Sequence, residues 1–167
     1  MIEIPPERLS KVDLRILDTL IADGRAADVN LADQVHLSST AVARRRRALE
    51  EGGIIQGYQA NINLAALGLT LVVIISIELE SQTEDALARF EKAVRESAAI
   101  LTCHFVSGDN DYILTAVASS MAHYEHIYNK EISRLPHVAR IRTSFSMRQI
   151  INRSTPARLF RNGGVRS

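Results

Sequence analysis

Between residues 70 and 150 the chain changes hydrophobic rhythm from segment to segment, and the order of those segments constrains the fold more than any other feature. "TLVVIISIEL" (70–79) is rich in Val and Ile and reads as a buried strand. "QTEDALARFEKAVRES" (82–97) puts Leu87, Phe90 and Val94 on one face of an amphipathic helix. "ILTCHFVSG" (100–108) and "YILTAVAS" (112–119) read as strands joined by the tight turn Asp109-Asn110-Asp111, hence as a hairpin. "MAHYEHIYNKEISRLP" (121–136) reads as a second helix ended by Pro136, and "VARIRTSFSMRQI" (138–150) as a last strand. The order β-α-β-β-α-β is the ferredoxin-like arrangement, with two helices on one face of a four-stranded sheet. Its other face needs cover, and dimerisation is the common solution.

The preceding segment has a different period. In "LSKVDLRILDTLIADGR" Leu14, Leu17 and Ile21 form one helical stripe, Ser10 caps it with Asp13 in the capping-box position, and Gly24 ends it. "DVNLADQVHLS" reads as a shorter helix, capped by Asp28, with Leu31 and Val35 inward. A sharp turn at His36–Leu37 leads to Ser38, which can cap a third helix. "GGIIQGYQANIN" then reads as a short two-stranded wing. Three helices, a tight turn and a hairpin predict a winged helix-turn-helix, whose third helix enters the major groove of double-stranded DNA. The chain is thus expected to be α+β, with a winged helix-turn-helix over 1–62, a linker over 63–69, a ferredoxin-like domain over 70–151, and a basic, mobile tail over 152–167.

The third helix carries four consecutive arginines, Arg44 to Arg47. Successive helix residues turn by about 100°, so they cannot form one patch. Val42 and Leu49 define the packing side; Arg44 and Arg47 point away from it, and Arg45 lies on the flank. Arg46 points toward the core and must run along the apolar seam to an acceptor. A lone basic run is more often just a solvated surface. Here it sits on the third helix of a helix-turn-helix pattern, after Ser38, Ser39 and Thr40. Short hydroxyls beside the free N–H groups of a helix start suit phosphate contact. The expected DNA contacts are Ser38, Ser39, Thr40, Arg44 and Arg47, with Arg45 a lesser one.

Bulk charge adds little: the net charge is +1, and residues 1–63 carry 8 Arg and Lys against 9 Asp and Glu. The positive charge is patterned rather than abundant. The lone cysteine, Cys103, excludes a disulfide within the chain and fits a reducing cytoplasm. The N-terminus has no signal-peptide pattern, and "LVVIISIEL" is too short to span a bilayer, so a cytoplasmic chain without membrane partners is expected. Cys103 and His104 are neighbours on a strand and point to opposite faces, so they make no nucleophile–base pair. His123 and His126 share a helix face, but two ligands do not make a metal site. No phosphate loop or serine-nucleophile motif is present. No cofactor, metal or catalytic residue is expected.

Residues 9–151 resemble the Lrp/AsnC, or feast/famine, transcriptional regulators. The resemblance rests on "VDLRILDTLIADGR", "LADQVHLSSTAVARRRRALEEGGIIQGYQANIN", "LGL", "CHFVSGDNDYIL" and "LPHVARIRTSFSM", in that order and spacing. It implies a winged helix-turn-helix joined to a ferredoxin-like effector domain, dimers formed through the sheets and assembled into tetramers or octamers, and sensing of an amino acid or related metabolite. Five positions depart from the family pattern: His36 stands where Gly is usual, Ser39 and Ala41 lie where Pro is common, Arg46 replaces an apolar residue, and Asn110 replaces an aromatic one. The Gly108-Asp109-Asn110-Asp111-Tyr112 stretch matches the family's effector loop. By residue type alone it is equally a tight turn. As an effector site, Asp109 or Asp111 would take an ammonium. Backbone N–H groups near Gly108, with Thr143 or Ser144, would take a carboxylate. The similar sirohaem decarboxylases use this two-part fold for catalysis, which would draw on His104, His123 and His126. Outward arginines on the third helix argue against that alternative.

Overall fold

The computed structural model describes residues 9–153 and 155; residues 1–8, 154 and 156–167, and with them most of the expected tail, lie outside the described residues. The chain divides into two compact units, one holding the residues up to Asn61 and one spanning Ile62–Ile150.

The first unit packs α1 (Lys11–Ala22), α2 (Asp28–Val35) and α3 (Ser39–Glu51) around Ile16, Leu17, Leu20, Leu31, Val35, Val42 and Leu49. The capping box at Ser10 forms: the Asp13 N–H donates to Ser10 Oγ at 3.2 Å, and the Ser10 N–H donates to Asp13 Oδ2 at 2.9 Å. The buried stripe of α1 differs from the expected one. Asp13, Ile16, Leu17 and Leu20 face inward, Leu14 is half-buried and Ile21 is exposed. A carboxylate therefore occupies a place on the packing face that apolar periodicity alone could not assign. Asp23, not Gly24, caps α1 at its C-terminus. Ala27 is the N-cap of α2, and Asp28, expected there, is its first helical residue.

His36 takes φ 55 and ψ 47, the left-handed conformation that the sharp turn between α2 and α3 requires. Its N–H closes α2 on the Ala32 carbonyl, and Ser38 Oγ caps α3 by accepting from the Ala41 N–H at 3.2 Å. The expected wing is absent: no strand forms between α3 and residue 64. Ile54 and Ile55 both donate to the Leu49 carbonyl and both pack on the core, so the alternation a strand needs breaks at its first step.

The second unit begins with a single 3-10 turn, Ala65–Leu67, inside the expected linker. Then follow β1 (Leu71–Leu79), α4 (Glu84–Glu96), β2 (Ile100–Phe105), β3 (Tyr112–Ala118), α5 (Met121–Lys130) and β4 (Val138–Phe145). The sheet is antiparallel with order β2-β3-β1-β4, the ferredoxin-like topology. Val73, Ile75, Ile77, Leu79, Tyr112, Leu114 and Ala116 meet Phe90, Val94, Tyr124 and Ile127 of the two helices. Three boundaries differ from expectation. The β2–β3 connection spans 106–111, not three residues; α5 stops at Lys130 and a 3-10 turn, Ile132–Arg134, leads to Pro136; and β4 ends at Phe145. Cys103 packs against the core and His104 is exposed, on opposite faces as strand alternation dictates.

His36 is exposed, so replacing it removes no packing. A left-handed residue with a Cβ carries about 1–2 kcal/mol of strain, part of which glycine returns as unfolded-state entropy. His36→Gly is expected to raise stability by about 0.5–1 kcal/mol in a denaturant melt, and the β-branched His36→Val to lower it.

Candidate nucleic-acid interface and effector loop

Helix α3 divides its arginines between two tasks. Arg44 and Arg47 are exposed and make no ion pair among the described residues. With Thr40 and Ala43, also exposed, they follow i, i+3, i+4, i+7 spacing and share one helix face. Ser38 and Ser39 are exposed at the start of the same helix.

Arg45, expected as a lesser DNA contact, is committed to the fold. Its Nη1 lies 2.9 Å from Asp13 Oδ1 and 3.2 Å from Ser10 Oγ, tying α3 to the first turn of α1. Burial alone would raise the Asp13 pKa. The hydrogen bonds from Ser10, then those and the charge of Arg45, outweigh it and hold the carboxyl below its ordinary 3.8.

Arg46 finds the acceptors its inward position demands. Its Nε donates to Tyr58 Oη at 2.8 Å, with Glu50 Oε1 at 3.4 Å. Its Nη1 reaches Asp28 Oδ1 at 3.2 Å and the Ala26 carbonyl at 3.3 Å. The guanidinium carbon lies 4.7 Å from the centre of the Tyr58 ring, within cation–π range. Tyr58 donates in turn to Glu50 Oε1 at 2.7 Å. Burial and the Glu50 carboxylate push the phenol above its ordinary pKa despite Arg46. Of this cluster only the i, i+4 pair Arg46–Glu50 was readable from spacing; Tyr58 and Asp28 carry no local signal.

The effector-loop residues separate in space. Gly108 and Asp109 are exposed, and Gly108 takes φ 118. Asp111 is buried at 7% exposure, and both its oxygens are used: Oδ2 accepts from the Leu79 N–H at 2.7 Å and Oδ1 from Gln82 Nε2 at 2.6 Å. These bonds fix Asp111 beside the end of β1, at the base of the loop in which a ligand contact was expected. Tyr112 is core, stacked 4.5 Å from Phe90 and 5.1 Å from Phe105, with its hydroxyl donating to Glu91 Oε1 at 3.0 Å. Burial and then that carboxylate push its pKa well up, so it remains a phenol. Thr143 lies opposite Ile75 on the helix side of the sheet, and Ser144 lies opposite Ile74 on the open side, so the two cannot serve one ligand group together. Missed by sequence reasoning is Arg142, whose Nη2 donates to Asn110 Oδ1 at 2.6 Å and holds the loop tip. On α5, His123 Nδ1 lies 3.0 Å from Ser119 Oγ and accepts from the Ser119 N–H at 3.1 Å.

Comparison with known proteins defines the class. Residues 9–56 match the winged helix-turn-helix DNA-binding family, and residues 72–156 the Lrp/AsnC ligand binding domain. The chain belongs to the Lrp/AsnC family of transcriptional regulators. Over 148 residues it is 38% identical to the Bkd operon transcriptional regulator of Pseudomonas aeruginosa, covering 89% of this chain and 97% of that protein. It is 37% identical to the leucine-responsive regulatory protein of Escherichia coli, covering 87% and 89% respectively. Among solved structures it is similar to a transcriptional regulator–L-Met complex from Neisseria meningitidis, with a TM-score of 0.83, 28% identity and coverage of 90% and 97%. An AsnC family regulator from Agrobacterium tumefaciens aligns with a TM-score of 0.84 at 29% identity, covering 89% and 96%.

Two outcomes follow from the buried carboxylates. Asp111→Ala strands the Leu79 N–H and the Gln82 amide, and should cost about 1–3 kcal/mol in a chemical denaturation of the purified protein. An unchanged midpoint would show those bonds to be dispensable. For Asp13 the folded-state pKa is lowered, so its stabilisation is complete above the unfolded value of 3.8 and disappears as pH falls through the lower folded value. The stability gap between wild type and Asp13→Asn should therefore be widest near neutrality and shrink below about pH 3.8 in parallel urea melts.

Proposed function

We propose that this chain is a sequence-specific DNA-binding regulator that acts without enzymatic activity in the cytoplasm and responds to an amino acid or related metabolite. The observation that carries the reading is the division of labour on α3: Arg45 and Arg46 are held by acceptors of the fold, while Arg44 and Arg47, exposed beside Thr40 and Ala43, make no ion pair among the described residues. A helix whose exposed face combines two short side chains with two unpaired guanidinium groups suits the major groove. Ser38, Ser39 and Thr40 would meet phosphate at the helix start. Arg45 contributes by fixing α3 against α1.

The effector reading draws on the ligand-binding family match and on relatives described as leucine-responsive or solved with L-Met. Backbone N–H groups around exposed Gly108 would take the carboxylate and Asp109 the ammonium, with Asp111 and Arg142 holding the loop. Homodimerisation would cover the open sheet face. Ile74 is 41% exposed there, and Val72, Ile113 and Val117 lie only half-buried beside it. A dimer would place two recognition helices in successive major grooves, and further assembly into tetramers or octamers is the family's expectation.

The test is salt-dependent binding to a cognate operator. Arg44→Ala or Arg47→Ala should weaken binding and reduce the log–log salt slope by about 1 each. Arg45→Ala should leave the slope unchanged while lowering the thermal midpoint. Unchanged affinity and slope in both outward-arginine variants would remove this face from the interface.

A further inference from the structure

We propose that Arg44 is the specificity-determining residue of this chain: each half-site of its operator carries a G·C pair read by Arg44, with a thymine beside it whose methyl group packs on Ala43. The inference rests on the DNA-binding reading above and deepens it from an interface to a base preference. Its geometry lies in α3, which begins at Ser39 under the Ser38 cap. A helix rises about 1.5 Å per residue, so Ser39 and Arg47 stand about 12 Å apart along the axis. The major groove is about 12 Å wide. In a helix laid across it with the hydroxyls of its first turn at one phosphate wall, Arg47 reaches the opposite wall. Ala43 and Arg44 then stand midway, over the base edges, and both are exposed.

Side-chain chemistry selects the bases. A guanidinium offers a fork of N–H donors and no acceptor. In the major groove only guanine presents two adjacent acceptors, O6 and N7. Adenine pairs an acceptor with a donor, cytosine shows a donor, and thymine shows one acceptor and a methyl group. Arg44 makes no ion pair among the described residues. Its neighbours three and four residues away on α3 are Thr40, Ala41, Arg47 and Ala48, so no carboxylate one turn away competes with guanine for its fork. Ala43 ends in a methyl group with no polar atom, which suits the thymine methyl. The short side chains of Thr40 and Ala43 let the helix backbone come close enough for Arg44 to reach down a groove about 8.5 Å deep. Arg45 and Arg46, held by Asp13, Asp28 and Tyr58, fix the rotation of α3 and so present Arg44 in one direction.

The test is selection from a random-sequence duplex pool on the full chain and on its Arg44→Ala, Arg44→Gln and Arg47→Ala variants. Wild type should return half-sites that hold the G·C pair and its neighbouring thymine. Arg44→Ala should lose about tenfold or more of the preference at that pair alone. Arg44→Gln should turn the pair toward A·T, because glutamine matches adenine N6 and N7, a gain that misfolding cannot produce. Arg47→Ala should weaken binding to all sequences and return the wild-type motif. Both arginines bring a cation between the phosphates, so both lower the salt slope, and only Arg44 alters the motif. In the selected duplex, 7-deazaguanine at that pair should weaken wild type and leave Arg44→Ala unaffected. Deoxyuridine in place of the thymine removes one methyl group and should weaken wild type about threefold. A wild-type motif without the G·C pair, a guanine preference kept in either Arg44 variant, or indifference to either base analogue would overturn the proposal and leave the interface standing. Unchanged affinity and salt slope in both Arg44→Ala and Arg47→Ala would remove the interface itself.

Discussion

A carboxylate taken out of water must be met by donors, because its desolvation costs several kcal/mol if it is not. Among the described residues each unit buries one charged side chain, Asp13 in the first and Asp111 in the second. Each is met by donors from distant segments. Asp13 gathers Ser10 and, 32 residues away, Arg45. Asp111 gathers the end of β1 and Gln82 across 32 and 29 residues. A hydrophobic contact tolerates sliding, whereas a charged hydrogen bond fixes distance and direction. These two residues therefore set the positions that the apolar cores leave adjustable: the seat of α3 on α1, and the start of β3 beside the end of β1.

The arrangement of α3 follows from the first of these. Four adjacent arginines on a helix turning about 100° per residue must face different surroundings. Two turn toward protein and would each carry an uncompensated charge if nothing met them. Asp13 meets one, and Asp28, Glu50 and Tyr58 meet the other. On α3 the positive charge left without an ion pair among the described residues is that of Arg44 and Arg47. On the proposed reading a polyanion would meet this narrow stripe of the helix, which favours one docking register.

Much of this was legible because helix and strand periods differ and residues such as Ser10, Ser38 and Gly108 occupy positions that few others suit. The order βαββαβ, the capping box at Ser10 and the inward pull on Arg46 all follow from local rules. The wing did not form because consecutive Ile54 and Ile55 both turn inward, a choice made by the core and not by the segment. The same cause hid the true stripe of α1: Asp13 looks like a surface residue until Arg45 is brought to it. Asp111 looked available for an ammonium because turn chemistry and ligand chemistry use the same residue types. The tertiary positions of the Leu79 N–H and Gln82, which give Asp111 its partners in the fold, carry no local signal. The cluster of Tyr124, Tyr128 and Phe145 was invisible for a similar reason, since it joins α5 to β4, with no spacing in common.

Strand β4 links the two regions of the second unit. Its successive residues face opposite sides of the sheet. Arg142 reaches the loop tip at Asn110 from one side, while Thr143 meets Tyr124 from the other. One peptide unit thus joins the tether of the loop proposed for the effector to the contact between β4 and α5. A displacement of the β4 backbone at this point would move both contacts together, because packed interiors transmit strain instead of absorbing it. The Arg142–Asn110 bond is exposed and therefore the weaker of the two tethers, so it is where such a displacement would be released.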